Sequence, residues 1–331
     1  MQPMNRTRAA VLALVVLAAV GGVAVLAVER PTVEGTESRF SGVNDSTTLV
    51  TTELAVANPN PVGVSLGNAT VDHSVRMNGI VMGNGSREGF RIAAGETSVN
   101  FTTAIDNRKV PAWWASHVAR GERTRLTTGA SVDVPVFGTE RVSENRTVTT
   151  DITGALNASE PRPINASLPL IDDPVLVVDR TTATWGTVTP ETTPLDIALG
   201  VENPSEIPIP VSRIDYTVTM NDIAVANGTT GRGTVIPPGG ERTVRTSAAI
   251  RNRKLDDWWV SHVERDQHTD LRVSLVAVLD LPGDTTVRVP LDGAGYSTSI
   301  DTDVFGTKNG SAAGTDSTRL TGRAPPGPEP S

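Results

Sequence analysis

The sequence predicts an all-β chain: two tandem antiparallel β-sandwiches, each with one short helix, behind an N-terminal transmembrane helix. Three observations carry this. One string is written twice, as Asn107-Arg108-Lys109 before Trp113-Trp114-Ala115-Ser116-His117-Val118 and as Asn252-Arg253-Lys254 before Trp258-Trp259-Val260-Ser261-His262-Val263, at an offset of 145. A self-match at a domain-sized period marks two copies of one module. Around the string, apolar residues recur at every second position, the period of a half-buried strand. Ahead of both copies, Ala9 to Val28 form twenty uncharged, apolar residues.

That segment spans about 30 Å as a helix, the thickness of a bilayer core. Arg6 and Arg8 precede it and the neutral pair Glu29-Arg30 follows. The positive-inside rule places residues 1–8 in the cytoplasm and everything after Val28 outside. The segment therefore reads as a single-pass anchor in the cell membrane. A cleaved signal peptide is the competing reading, with Val25-x-Ala27 as a weak cleavage site, but the apolar run exceeds a usual signal core.

The modules are expected over 33–152 and 170–306. Asn58-Pro59 matches Asn203-Pro204 at 145, Met77-Asn78 matches Met220-Asn221 at 143, and Gly95-Glu96 matches Gly240-Glu241 at 145 again. Such length changes belong in loops. Val71, His73, Val75 and Met77 alternate with polar residues, as do Ile214, Tyr216, Val218 and Met220. Asn78-Gly79 then gives a strong hairpin signal, with Asn221-Asp222 in its place in the second copy. Further strands fit Leu49–Ala57, Thr97–Ala104, Arg125–Val136, Leu195–Val201, Arg242–Ile250 and Leu271–Leu281. Gly, Asn and Pro clusters separate them, the pattern of an antiparallel sandwich.

The helix of each module starts near Pro111 or near Asp256-Asp257, residue types suited to a helix N-terminus. Trp114 and Val118 share one face, as do Trp259 and Val263. Burying one Trp is worth at most about 4–6 kcal/mol. At least one Trp of each pair is thus read as a core anchor. Residues 153–169 read as a linker with three prolines, and 307–331 as a disordered tail rich in Gly, Ser, Thr and Pro.

Composition excludes some functions. With no cysteine, disulfides, thiolate metal sites and thiol catalysis are absent. A net charge of −8 argues against a nucleic-acid partner. Only three of the 29 basic residues are lysine. That skew, with many Asp, Thr and Val, points to a halophilic source, or to a high-GC genome. Glycosylation sequons stand at Asn44, Asn68, Asn84, Asn100, Asn145, Asn157, Asn165, Asn227 and Asn309, as suits an exported chain. A Thr-rich chain also generates them by chance.

No constellation for catalysis emerges. His73 aligns with Tyr216, so a packing role is expected for it. Ser116-His117 and Ser261-His262 are true counterparts, but adjacent helical side chains point about 100° apart, which is poor for a nucleophile and its base. A capping or surface role is expected for both histidines. No metal-ligand spacing is present. Asp301 and Asp303 read as ordinary solvation. Gly83-Asn84-Gly85 and Gly231-Arg232-Gly233 lie between strands and cradle no phosphate. The Asn-Arg-Lys tripeptides either cap the strand-to-helix turn or form a shared polar surface. Catalytic, cofactor and metal residues are none.

An apolar segment, then a β-rich module in which Asn58-Pro59-Asn60-Pro61 ends an early strand, resembles the type 2 late embryogenesis abundant family. This is also called the water stress and hypersensitive response domain family. Met77-Asn78-Gly79 and Gly95-Glu96 fit it too. In the second copy Asn203-Pro204 is followed by Ser205, and the second Asn and Pro are missing. The base skew makes a haloarchaeal member the expectation. The resemblance implies a fibronectin III/immunoglobulin-like sandwich. It also implies a non-enzymatic role in tolerance of desiccation or osmotic stress, exercised on partly unfolded client proteins or envelope components. A cell-surface binding or adhesion module is the alternative. Oligomeric state is not readable from the sequence.

If the arginine skew reflects salt adaptation, the chain unfolds below molar salt. Circular dichroism across a salt series checks this, and an unchanged signal at low salt leaves the codon explanation.

Overall fold

The computed structural model describes residues 32–134, 138–166, 171–230, 233–281, 285–291 and 296–308. The predicted anchor, residues 9–28, and the tail beyond 308 lie outside the described residues. Among the described residues no helix is long and apolar enough to cross a membrane.

The fold is all-β and antiparallel, as the alternation predicts. Seven strands come from the first copy: β1 Thr32–Val43, β2 Thr47–Asn58, β3 Val64–Met77, β4 Ile80–Ile92, β5 Gly95–Asp106, β6 Arg123–Val134 and β7 Gly138–Thr149. They form one sheet in the order β1-β2-β5-β4-β3-β6-β7. A 3-10 turn at Asn107–Lys109 and helix α1, Val110–Ala119, stand between β5 and β6.

The segment expected to be a linker carries a short helix, α2 Ile152–Ala155, and a strand, β8 Arg162–Ile164. The second copy then supplies β9 Leu176–Trp185, β10 Thr192–Glu202, β11 Ile209–Met220, β12 Ile223–Thr230, β13 Thr234–Ile236 and β14 Glu241–Arg251. A 3-10 turn at Asn252–Lys254, helix α3 Leu255–Glu264, and strands β15 His268–Leu281, β16 Thr285–Pro290 and β17 Tyr296–Asp301 complete it. One sheet runs β14-β10-β9-β8 and another β12-β11-β15-β16, with β13 paired to β11 and β17 to β15. The pairing of β8 with β9 makes the expected linker part of a sheet.

By contact, the described chain divides into two compact units. The first holds residues 32–109, 124–148 and 303–308, and the second holds 110–123 and 149–302. The helix α1, encoded by the first copy, therefore belongs to the second unit. The sequence pattern assigns one short helix to each sandwich, so α1 departs from that assignment.

Inside each unit the period-2 pattern fixes which side chains are buried. On β5, Val99, Phe101, Thr103 and Ile105 face inward, and on β14 their counterparts Val244, Thr246, Ala248 and Ile250 do so. Val71, His73, Val75 and Met77 are buried on β3. The β3–β4 turn has Asn78 at φ 51° and Gly79 at φ 86°, and β11–β12 has Asn221 at 50° and Asp222 at 68°. Positive φ at both central positions is what a two-residue hairpin needs, and it explains why Asn, Asp and Gly stand there.

One close approach joins the two groups of strands in the first copy. In the first copy, β4 meets β5 through a single pair, Gly83↔Ile105. A Cβ on Gly83 would sit 2.1 Å from the Ala104 carbonyl oxygen, so only glycine allows this approach. The second copy has Ala226 at the matching bulge, opposite Val218, and there the groups are separate sheets.

Gly83→Ala is expected to lower stability by about 1–3 kcal/mol through overpacking. Gly42→Ala, where the added carbon meets only Leu49 Cδ1 at 3.7 Å, is the tolerated control. Urea unfolding of both variants checks the difference.

Candidate functional site

Two constellations involve the residues singled out in the sequence. The first is the Asn-Pro turn. Asn58 ends β2 and is buried; its Nδ2 donates to the carbonyls of Val62 and Ala93 at 3.1 and 3.0 Å. Its Oδ1 accepts from the backbone N–H of Asn60 at 3.2 Å and from Asn60 Nδ2 at 2.7 Å. One amide thus ties two neighbouring turns together. Asn203 repeats this, donating to the carbonyls of Ile207 and Ile236 at 2.8 and 3.1 Å. Ser205, which looked like a departure from the motif, supplies both missing bonds: its N–H and hydroxyl donate to Asn203 Oδ1 at 3.0 and 2.7 Å. Pro59, Pro61 and Pro204 lack an N–H and stand where the strand ends, so no ladder bond is lost.

The second constellation is a pair of tryptophan helices within the second unit. Trp113 of α1 meets Trp259 of α3 edge-on, with ring centroids 5.2 Å apart at 72°. Trp114 meets Trp258 at 5.4 Å and again 72°. Since Trp113 and Trp258 are counterparts, the contacts are exchanged as in a two-fold interface. All four rings are buried. Trp185 closes on Trp114 at 6.2 Å and 89°, so all five tryptophans of the chain share one cluster.

Each histidine lies beneath its two tryptophans. His117 is 5.9 Å from Trp113 and 6.1 Å from Trp114, and His262 is 5.3 and 5.9 Å from Trp258 and Trp259. Both are 3% exposed, which corrects the expected capping or surface role. The i, i+3 and i, i+4 spacings draw them onto the tryptophan face. The serine hydroxyls bond the helix backbone: Ser116 Oγ donates to the Trp113 carbonyl at 2.6 Å and Ser261 Oγ to that of Trp258 at 2.7 Å.

The histidine bonds run to threonines. His262 Nδ1 meets Thr269 Oγ1 at 2.7 Å and its Nε2 meets Thr302 Oγ1 at 3.0 Å. Trp258 Nε1 donates to Thr269 Oγ1 at 3.0 Å, leaving that hydroxyl proton for His262 Nδ1. His117 Nε2 lies 3.0 Å from Thr150 Oγ1, whose own proton goes to Glu122 Oε2 at 2.8 Å. Both arrangements place a proton on Nε2, and in His262 the Thr269 hydroxyl makes Nδ1 the acceptor. Burial pushes the His117 pKa down to about 4, against a smaller upward pull from Glu122.

Glu122 was not singled out by the sequence. It is buried at φ 57°, directly after Gly121 at the end of α1. It accepts from the N–H of Ile152 at 2.6 Å, the N–H of Thr153 at 3.2 Å and Trp185 Nε1 at 2.8 Å, besides Thr150. Burial raises its pKa, but these hydrogen bonds together outweigh that and hold the carboxyl below its usual range. Its counterpart Gln267 is also buried, with φ 62°. A polar residue at that offset in both copies was the available signal.

The Asn-Arg-Lys tripeptides also divide by residue. Asn107 and Asn252 are wholly buried and hold the preceding turn: each Oδ1 accepts from a threonine, Thr48 or Thr193, at 2.7 and 2.8 Å. Their Nδ2 groups donate to the carbonyls of Asn44 and of Thr189. Arg108 is exposed and pairs with Asp106. Asp303 accepts from the N–H groups of Gly306 and Thr307, and Asp301 from His268. Among the described residues no group of three or more His, Asp and Glu is placed to hold a metal ion.

The family model for late embryogenesis abundant proteins matches residues 53–147 and again 198–295. The chain belongs to the late embryogenesis abundant family. Each match falls on one copy of the repeat and contains the body of its LEA module. An uncharacterised protein of Methanocaldococcus jannaschii is 29% identical over 84 residues, 25% of this chain and 48% of that one, so the chain spans about half of that relative. A crystal structure of an Archaeoglobus fulgidus protein is 26% identical, covering 38% of this chain and 98% of that one with a TM-score of 0.35. A solution structure of an Arabidopsis thaliana protein is 12% identical, covering 44% and 83% with a TM-score of 0.31.

His117 makes the stability of the LEA chain pH-dependent. Its folded pKa lies below the unfolded value of about 6.5, so the unfolded state takes the proton first. Its contribution is complete above about pH 6.5 and is lost as pH falls towards about 4, about 2 kcal/mol of it by pH 5. His73, also lowered by burial, acts in the same direction, whereas His268, raised by its bond to Asp301, acts in the opposite one. Both remain in a His117→Gln variant, so denaturant unfolding of that variant at pH 7 and pH 5 should show a pH loss smaller by that amount.

Proposed function

We propose that the chain is a membrane-anchored, non-enzymatic protector of other proteins, or of the cell envelope, against desiccation and osmotic stress. The observation that carries this is the late embryogenesis abundant match on both modules. The module architecture is read as fibronectin III-like. The order β1-β2-β5 beside β4-β3-β6-β7, met by one glycine bridge, supports two facing sheets of three and four strands. The uncharged segment 9–28 supports the anchor. The described sequon asparagines, Asn44, Asn84, Asn100, Asn145, Asn157, Asn165 and Asn227, are all exposed, as an exported, glycosylated chain requires.

The chemistry of the buried groups fits a non-catalytic role. Both histidines are buried among tryptophans and bonded to threonines, and burial keeps His117 neutral near pH 7.

The full chain, reconstituted in vesicles at less than one copy per client, is expected to reduce aggregation of an enzyme dried or heated with it. Light scattering and recovered activity are the readouts. Protection no greater than that given by an equal mass of albumin removes the proposal. Capture of one stoichiometric envelope partner would favour the binding or adhesion reading instead.

A further inference from the structure

The Asn-Pro end of the first module presents an uncharged, apolar tip. Among the described residues Val62 is the most exposed large apolar side chain, at 66%. Pro59, Pro61 and Gly63 around it are exposed, and so are Ala93 and Ala94 on the neighbouring turn. The Asn58 amide bonds the carbonyls of both Val62 and Ala93, so the two turns form one surface. No charged residue occurs in 59–63 or 93–95. The opposite end of the same strands differs: Asp45 is exposed at the β1–β2 turn and Asp106 pairs with Arg108.

The strand register says what the tip faces. Thr32, at the start of β1, pairs with Ala57, the residue before Asn58. Only Glu29, Arg30 and Pro31 separate Thr32 from the apolar run that ends at Val28. Four residue steps span at most about 14 Å. The chain thus enters the first module at its Asn-Pro end. In the second module the position of Pro61 is taken by Glu206, and β9 follows β8 rather than an apolar segment. The uncharged tip is found on the module that follows the apolar run.

We propose that the Asn-Pro tip of the first module, Pro59 to Gly63 with Ala93 and Ala94, is a lipid-contacting surface that rests on the bilayer entered by residues 9–28. Seating charges against lipid carries a desolvation cost, and residues 59–63 and 93–95 carry none; the nearest charges, Arg91 and Glu96, are exposed on the flanks of the second turn, where they can stay in the headgroup water. The Asn58 bonds hold the turn in shape, so little backbone freedom is lost on contact. The surface would seat the module upright on the membrane. This rests on the anchor reading given under Proposed function.

The chain has no cysteine, so single labels can be placed cleanly. Val62→Cys and Asp45→Cys both alter exposed side chains. Each full-length variant carries an environment-sensitive fluorophore and is reconstituted into vesicles of phosphatidylcholine and phosphatidylglycerol containing a lipid-borne quencher. The label at 62 is expected to be quenched several-fold more strongly than the label at 45. Equal quenching in a chain that resists alkaline carbonate extraction overturns the tip and leaves the anchor standing. A chain released by carbonate overturns the anchor and the tip with it.

Discussion

Three asparagines in each module, at corresponding positions, hold the ends of its strands, and the rest of the architecture depends on their amide bonds. Asn58 and Asn203 tie the turn after the second strand to a neighbouring turn. Asn107 and Asn252 tie the strand-to-helix turn back to the start of that module's second strand. Asn78 and Asn221 sit at the hairpin and accept from the N–H of Arg125 and of Asp270. A buried amide without partners costs roughly 1–3 kcal/mol, whereas one with three or four bonds fixes a single geometry. These loops keep their shape by side-chain hydrogen bonds in a chain that has no disulfide to hold them.

The tryptophan helices work by a different principle. A ten-residue helix is too short to be stable alone, so its persistence depends on what its apolar face touches. Here the faces of α1 and α3 are covered largely by each other, through exchanged contacts of Trp113 with Trp259 and Trp114 with Trp258. Duplication gave the two helices the same face, and equal faces can meet about a two-fold axis. Trp185 and the buried Glu122 carboxylate complete the enclosure. The cluster is thus a product of having two copies in one chain.

Much of the fold was legible because β structure writes its period into the sequence. The alternation at Val71–Met77 and the Asn-Gly step after it specified a strand, its buried face and its hairpin, all of them local properties. Where the two helices pack was not legible, since both carry the same apolar residues and local periodicity does not name a partner. The burial of His117 and His262 followed from that same pairing and was missed with it. Glu122 was obscured for a related reason. Its partners Thr150, Ile152, Thr153 and Trp185 lie 28 to 63 residues away, and no local pattern marks a carboxylate satisfied so remotely. The prolines of segment 153–169 suggest a linker, yet four of its residues, Ala158 and Arg162 to Ile164, pair with β9, because a short edge strand needs no hydrophobic period.

The internal comparison also separates packing from function at His73. That ring bonds Thr103 Oγ1 at 2.6 Å and lies against Gly85, where a Cβ would fall 2.3 Å from the ring. In the second copy all three positions change together or hold together for steric reasons. Tyr216 replaces the histidine, Ala248 replaces the threonine, and Gly228 stays glycine because a Cβ there would meet the Tyr216 hydroxyl at 2.6 Å. Once the ring is lengthened, its hydroxyl reaches past the lost threonine and accepts from the N–H of Ala249. The site conserves a ring over a glycine and one hydrogen bond to the facing strand. It does not conserve a titratable group, and a role that required one would have no means of surviving the exchange. The same test, applied to His117 and His262, gives the contrary result: both copies keep the imidazole, both bond it to threonine, and both bury it under two indoles. The imidazole fits there because an indole-lined pocket with threonine on its edge takes a flat ring whose nitrogens bond the hydroxyls at its rim.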